Sequence, residues 1–187
     1  MSELKPLGES YWVEPGLLLA GEHPGHWDEG VARRRVAALL DAGIRLFVDL
    51  SAPTDPVHPY KSVLEKLCCA RGLYAEHLSV PLRADAVPDH AEDVVYVLSE
   101  IQFTLESGER VYVHCGDGVG RTGMVMGCWL VERGFDPGGA LDELARRFAA
   151  MNKASSYHYT PTSALQAEWV EAWQPVLDLR EECSEAS

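Results

Sequence analysis

His114-Cys115-Gly116-Asp117-Gly118-Val119-Gly120-Arg121-Thr122-Gly123 follows a short strand-like run, Arg110-Val111-Tyr112-Val113, and opens into an apolar helical run, Met124 to Val131. A cysteine six positions before an arginine, with glycines between them, can be wrapped into one loop around a tetrahedral dianion. Glycine tolerates the unusual φ angles that let successive N–H groups point inward. The helix start behind the loop adds unpaired N–H groups and the positive end of its dipole. Arg121 offers a planar two-pronged fork for phosphate oxygens, and the same field favours ionised Cys115, a sulfur nucleophile. Gly116, Asp117, Gly118, Val119, Gly120 and Arg121 are therefore the candidate phosphate-binding residues.

Outward from this loop, strands and helices alternate. Trp12-Val13 and Leu17 to Ala20 flank a Glu14-Pro15-Gly16 turn and read as a hairpin. A helix is predicted from Asp28 to Asp41 with Gly43 as its left-handed cap, then a buried strand over Ile44 to Leu50. Tyr60 to Ala70 reads as a helix, followed by Gly72 and a strand over Leu73 to Val80. Asp89 and Glu92 resemble a capping box ahead of a stripe of Val94, Leu98, Ile101 and Leu105. Thr122 to Arg133 is the helix behind the loop. Asp136-Pro137 and Thr160-Pro161 open two further helices, the first with Leu141, Leu144 and Phe148 on one face, the second with Leu165, Trp169 and Trp173. This order predicts an α/β fold with a central, mostly parallel sheet flanked by helices, in a single domain over 1–187 whose ordered core runs from about 11 to 178.

The 187 residues can bury a substantial core without staples. A net charge of −13 opposes attraction to nucleic acid and to anionic membrane surfaces. Five cysteines, two of them adjacent at Cys68-Cys69, do not form a disulfide or zinc pattern, and no metal or other cofactor is expected. Without a charged-then-apolar leader or an apolar run near 18 residues, the expected setting is the reducing cytoplasm.

The loop carries the His-Cys, five residues, Arg, Ser/Thr signature in full. In it the chain resembles the cysteine-dependent protein-tyrosine and dual-specificity phosphatases, in particular their smaller members. That resemblance implies the phosphatase fold, with organisation matching from about Trp12 to Trp173. It also implies hydrolysis of a phosphomonoester through a phosphocysteine, on a phosphoprotein or small phosphomonoester substrate. Cys115 would attack phosphorus, Arg121 and the loop amides would stabilise the equatorial oxygens, Thr122 would hydrogen-bond the sulfur, and His114 would tie the loop to neighbouring backbone. A leaving oxygen also needs a proton. Family members take it from an aspartate about thirty residues before the cysteine, which selects Asp85, between Pro81 and Pro88. Asp89 is its competitor, and Asp49 a third candidate. Two departures are visible. Thr162 stands where many relatives carry a water-positioning glutamine, while Gln166 matches a second, structural one. Asp117 stands where phosphoinositide phosphatases often carry a basic residue. Arg83 is a candidate rim cation, and Tyr157-His158-Tyr159 a candidate pocket wall. Alternative readings are a phosphoinositide or inositol phosphate phosphatase and a phosphate-binding module without turnover; the oligomeric state is not legible.

Overall fold

A computed structural model of the protein describes residues 5–84, 86–157 and 159–175. In chain order the elements are β1 (Ser10–Glu14), β2 (Leu18–Glu22), α1 (Glu29–Asp41), β3 (Ile44–Asp49), α2 (Lys61–Arg71), β4 (Glu76–Ser79), α3 (Glu92–Glu106), β5 (Arg110–Cys115), α4 (Gly120–Glu132), α5 (Pro137–Phe148), a 3₁₀ turn (Ala154–Ser156) and α6 (Ala164–Ala172). The strands form one five-stranded sheet in the order β1-β2-β5-β3-β4. Only β1 runs antiparallel, to β2; the β2–β5, β5–β3 and β3–β4 pairs are parallel. This is the expected α/β architecture.

The order places the site. β5, which comes last in sequence among the strands, is inserted between β2 and β3. Connections leaving the carboxyl ends of neighbouring strands therefore diverge around the end of β5, which opens a crevice there. Strand alternation decides what faces each layer. Val111, Val113 and Cys115 join the cluster packed under α3, α4 and α6, together with Leu18, Ala20, Leu46 and Val48. Leu19, Phe47 and Tyr112 face α1 and α2. Because side chains alternate with a period of two, Cys115 and His114 leave β5 on opposite faces. Strands buried on both faces account for the unbroken apolar runs that marked them in the sequence.

Local signals set most of the helix ends. Asp28 caps α1 by accepting from the Val31 N–H, and Asp136 caps α5 by accepting from Gly139. Gly43 and Gly72 take positive φ after α1 and α2. Three expectations are corrected. The Asp89–Glu92 capping box does not form: α3 starts from Ala91 without a side-chain cap, and Asp89 pairs instead with Arg83 at 3.2 Å on the surface. α6 does not start at Thr160-Pro161 but at Ala164, where Ser163 accepts from the Gln166 N–H. Leu165 points outward, 57% exposed, while Gln166 and Val170 take the buried face with Trp173. Of the cysteine pair, Cys68 is buried and Cys69 exposed.

Trp129 anchors the α4 layer. Its ring is fully buried, its indole N–H donates to Glu14 Oε1 at 2.8 Å, and the Arg133 guanidinium stacks 4.2 Å from the ring centroid. Trp129→Ala is expected to lower unfolding stability by about 3–5 kcal/mol in a urea titration, the usual cost of such a cavity. A loss under about 1 kcal/mol would contradict this packing role.

Candidate active site

The 115–121 loop joins the end of β5 to the start of α4. Its path is fixed from three sides. The His23 N–H donates to the Gly116 carbonyl at 2.9 Å, hooking the loop to the segment after β2. Thr160 Oγ1 donates to the Val119 carbonyl at 3.1 Å from the segment before α6. Gly118 takes φ 73° and lies so close to β2 that any Cβ would overlap the Gly21 carbonyl. Gly120 and Gly123 have a different reason to be glycine: Cβ atoms there would crowd Thr162 and Gln166, or Thr160 and Pro161. Among the described residues, the backbone N–H groups of 116–121 donate to no protein acceptor. A loop of unspent donors at a helix start is an anion site by construction.

Cys115 lies buried at the base of this loop and Asp117 stands exposed on its rim. The cavity above is about 400 Å³ and is lined by Gly116, Asp117 and Arg121 together with residues of the segments after β2, β3 and β4. Arg121 is held by one of its amino groups. Nη1 donates to the Leu82 carbonyl at 2.9 Å, to the Leu50 carbonyl at 3.3 Å and to Asp55 Oδ2 at 2.6 Å. The other amino group, Nη2, is turned toward the loop, 3.7 Å from where a Cβ on Gly116 would sit. Asp55 is fixed in turn by the Ala52 N–H at 3.2 Å. Sequence reasoning missed Asp55. Its signal was an aspartate between Pro53 and Pro56 just after a buried strand, the same setting that drew attention to Asp85.

His114 sits beneath the loop on the other face of β5. Its Nε2 is 2.7 Å from the Tyr60 hydroxyl, and its Nδ1, without a hydrogen-bond partner, stands 3.7 Å from Asp49 Oδ1. It anchors through the Tyr60 hydroxyl, with the Cys115 backbone also supporting the ring. His23 and His77 approach Asp49 Oδ2 at 3.7 and 3.5 Å, and the Ser51 N–H donates to Oδ1 at 2.9 Å. Burial alone would push Asp49 up, but the imidazoles of His23, His77 and His114 and the Ser51 amide hold it well below the ordinary carboxylate range. A carboxylate held this way is an anchor, which removes Asp49 as a proton donor. Burial pushes His114 down to about 3, with Asp49 opposing and the two other histidines adding to the fall.

The ligand atoms of His23, Asp49 and His114 lie within 4.8 Å of one another, the one such buried group among the described residues. Its hydrogen bonding does not suit a cation. His23 Nδ1 accepts the Gly25 N–H at 3.0 Å, so a neutral ring carries its proton on Nε2, facing Asp49. That nitrogen then has no lone pair for a metal.

The remaining candidates divide. Thr122 is buried, but its hydroxyl has no hydrogen-bond partner, so the expected bond to sulfur is not made. Asp85 and His158 lie outside the described residues. Arg83 is exposed, pairs with Asp89 and does not line the cavity. Tyr157 does reach the loop: burial first, then the negative charge of Asp117 and a hydrogen bond to it, raise its hydroxyl above the ordinary range. Gln166 is fully buried and donates to the Ala86 carbonyl at 3.3 Å, beside the candidate acid, while Thr162 Oγ1 is 3.4 Å from its Oε1.

The sequence pattern of a family described as "PTP-SAK: Swiss Army Knife protein, DSP-PTPase phosphatase domain" matches residues 8–172. The chain belongs to this family of phosphatase domains. It is also 26% identical over 124 residues to 067L of Invertebrate iridescent virus 3, a protein named for tyrosine phosphatase activity. That match covers 65% of this chain and 45% of the relative, so the chain spans less than half of the relative's length. Solved structures share the fold. TpbA of P. aeruginosa in complex with pTyr superposes with a TM-score of 0.58 at 22% identity, covering 90% of this chain and 91% of that one. PTPMT1 in complex with PI(5)P gives 0.63 at 16% identity, covering 95% and 99%.

Two tests follow from the geometry. Asp55→Asn removes the charge that aims Arg121 and is expected to lower kcat/KM on a phosphomonoester about 10- to 100-fold, since a hydrogen bond to a charged group is worth about 1.5–3 kcal/mol. Unchanged steady-state kinetics would contradict the aiming role. The second test is acid stability. Between His114's ordinary value of 6.5 and its folded value of about 3, the unfolded chain binds a proton that the folded one refuses. Stability therefore falls on acidification, by about 1.4 kcal/mol per pH unit from this group, and Asp49 adds to the loss at lower pH. Urea titrations across this window should show the slope in the wild type and its loss in His114→Asn; equal slopes would refute it.

Proposed function

We propose that the protein hydrolyses phosphomonoesters on phosphoprotein, acting on phosphotyrosine and also on phosphoserine and phosphothreonine. Sulfur of Cys115 attacks phosphorus in line, forming an S–P bond as the P–O bond to the leaving group breaks. Asp85 donates the proton that the leaving oxygen takes up, and water activated by the resulting carboxylate then cleaves the phosphocysteine. The free N–H groups of 116–121 and Arg121 Nη2 face the three equatorial oxygens, the preorganised electrostatics that usually dominates such chemistry. Buried Thr122 supports the loop, and His114 holds its base.

The observation that carries the substrate class is the charge inventory of the cavity. Its two arginines are already paired, Arg121 with Asp55 at 2.6 Å and Arg35 with Glu22 at 3.1 Å. Asp117 adds a carboxylate on the rim. Beyond the loop itself, little positive charge remains for further phosphates, which suits one phosphoryl group on a neutral or aromatic side chain. The alternative, an inositol phosphate or phosphoinositide, draws its support from His26, His58 and Arg35 on the wall. A phosphate-binding module without turnover is the third reading. No described helix is long and apolar enough to cross a membrane. The cysteine content and an oxidation-sensitive thiol are the reasons to place the protein in the cytoplasm.

Phosphotyrosyl peptide is expected to be turned over faster than a phosphoinositide at physiological salt, with vanadate inhibiting and chelators without effect. Cys115→Ser should abolish turnover and Asp85→Asn should slow it about 10²- to 10⁴-fold on poor leaving groups. Faster turnover of the phosphoinositide would favour the alternative. Equal phosphate release by wild type and Cys115→Ser would rule out catalysis through this sulfur.

A further inference from the structure

We infer that Trp27 grips an apolar or aromatic residue beside the phosphorylated residue of a peptide substrate, an inference that rests on the phosphoprotein reading above. Trp27 is 76% exposed. An indole left in water is a large unspent apolar surface, and tryptophan is the residue type most often decisive at contact surfaces.

Its position is not that of a loose surface side chain. The segment after β2 is pinned along its length. His23 N–H bonds the Gly116 carbonyl of the catalytic loop, Gly25 N–H bonds His23 Nδ1, and Asp28 N–H bonds His26 Nδ1 at 3.0 Å. Gly25 lies so close to the segment after β3 that any Cβ would overlap the His58 carbonyl oxygen. Asp28 then caps α1. Trp27 is thus carried on a backbone fixed on both sides, and a preorganised contact loses little entropy when a ligand meets it.

The neighbours define what would be gripped. His26 lines the catalytic cavity, and its ring lies 5.3 Å from the Trp27 ring at 35°. Pro56 and Val57 continue the same wall. A ligand that rests its phosphoryl group on the 115–121 loop and leaves the cavity along the His26 wall meets an indole next. An indole face offers stacking and apolar contact in place of charge, so the complementary group is an apolar or aromatic side chain flanking the phosphoresidue. A lipid surface could also take up an exposed tryptophan. The net charge of −13 and the exposed rim carboxylate of Asp117 oppose an anionic membrane and favour the peptide.

The test measures kcat and KM separately for wild type, Trp27→Ala and Trp27→Phe. The substrates are a phosphotyrosyl peptide with leucine or phenylalanine on both sides, the same peptide with glycine there, p-nitrophenyl phosphate, and a phosphoinositide in phosphatidylcholine vesicles. Trp27→Ala is expected to raise KM for the apolar-flanked peptide about tenfold, with kcat and p-nitrophenyl phosphate turnover held within about twofold. Trp27→Phe should restore most of the loss, and the glycine-flanked peptide should not distinguish the variants. Unchanged KM on the apolar-flanked peptide overturns the inference while leaving the phosphoprotein reading intact. So does an equal loss on p-nitrophenyl phosphate, which would mark a structural role, or a loss confined to the vesicles. A wild type that hydrolyses p-nitrophenyl phosphate but neither peptide overturns the phosphoprotein reading itself, and this inference with it.

Discussion

Backbone crowding around residues 116–123 is the constraint on which the rest of the structure depends. An anion-binding loop has to leave its own N–H groups without protein partners, and a segment in that condition tends to collapse onto the nearest acceptor. Here it is held open by contacts made through its carbonyl oxygens and its missing side chains. Gly116 and Val119 accept bonds from either side, and Gly118 lies flush against Gly21. The sheet order makes this possible, because inserting β5 between β2 and β3 brings the segments after both strands against the loop.

Beneath the loop, the same strand alternation supplies a second layer. Asp49 at the end of β3 and His114 near the end of β5 face one another across the parallel pair, with Tyr60 and His23 closing the group edge-on. A buried carboxylate surrounded by imidazoles is costly to break one partner at a time, which favours a single arrangement of the strand ends that carry Cys115. Above the loop, Gln166 connects the start of α6 to Ala86 in the candidate acid segment. The residues that shape the loop and its surroundings are therefore distributed over several segments that meet near the end of β5.

Much of this was legible in the sequence. Apolar runs of strand length, the helix starts at Asp28 and Asp136, the left-handed Gly43 and the Cys-to-Arg spacing each have a local physical cause, so a local reading finds them. The misreadings have a different character. Asp89 carried a capping signal but was drawn to Arg83. Leu165 carried an apolar signal, yet the turn of α6 set by Ser163 gave its place to Gln166, whose burial is explained by bonds to Thr162 and the Ala86 carbonyl. Asp55 was invisible because its meaning lies in Arg121, far away in the chain. The loop's glycines were all credited to backbone freedom; that holds at Gly118, while Gly120 and Gly123 are small because other elements press on them.

The central claim is that this loop presents free amides to an anion directly above the Cys115 sulfur. Its most direct test is the rate of iodoacetamide alkylation of Cys115 at pH 6, with and without tungstate. The account predicts that the oxyanion occupies the loop and suppresses alkylation of the sulfur at its base. A rate indifferent to tungstate would contradict it.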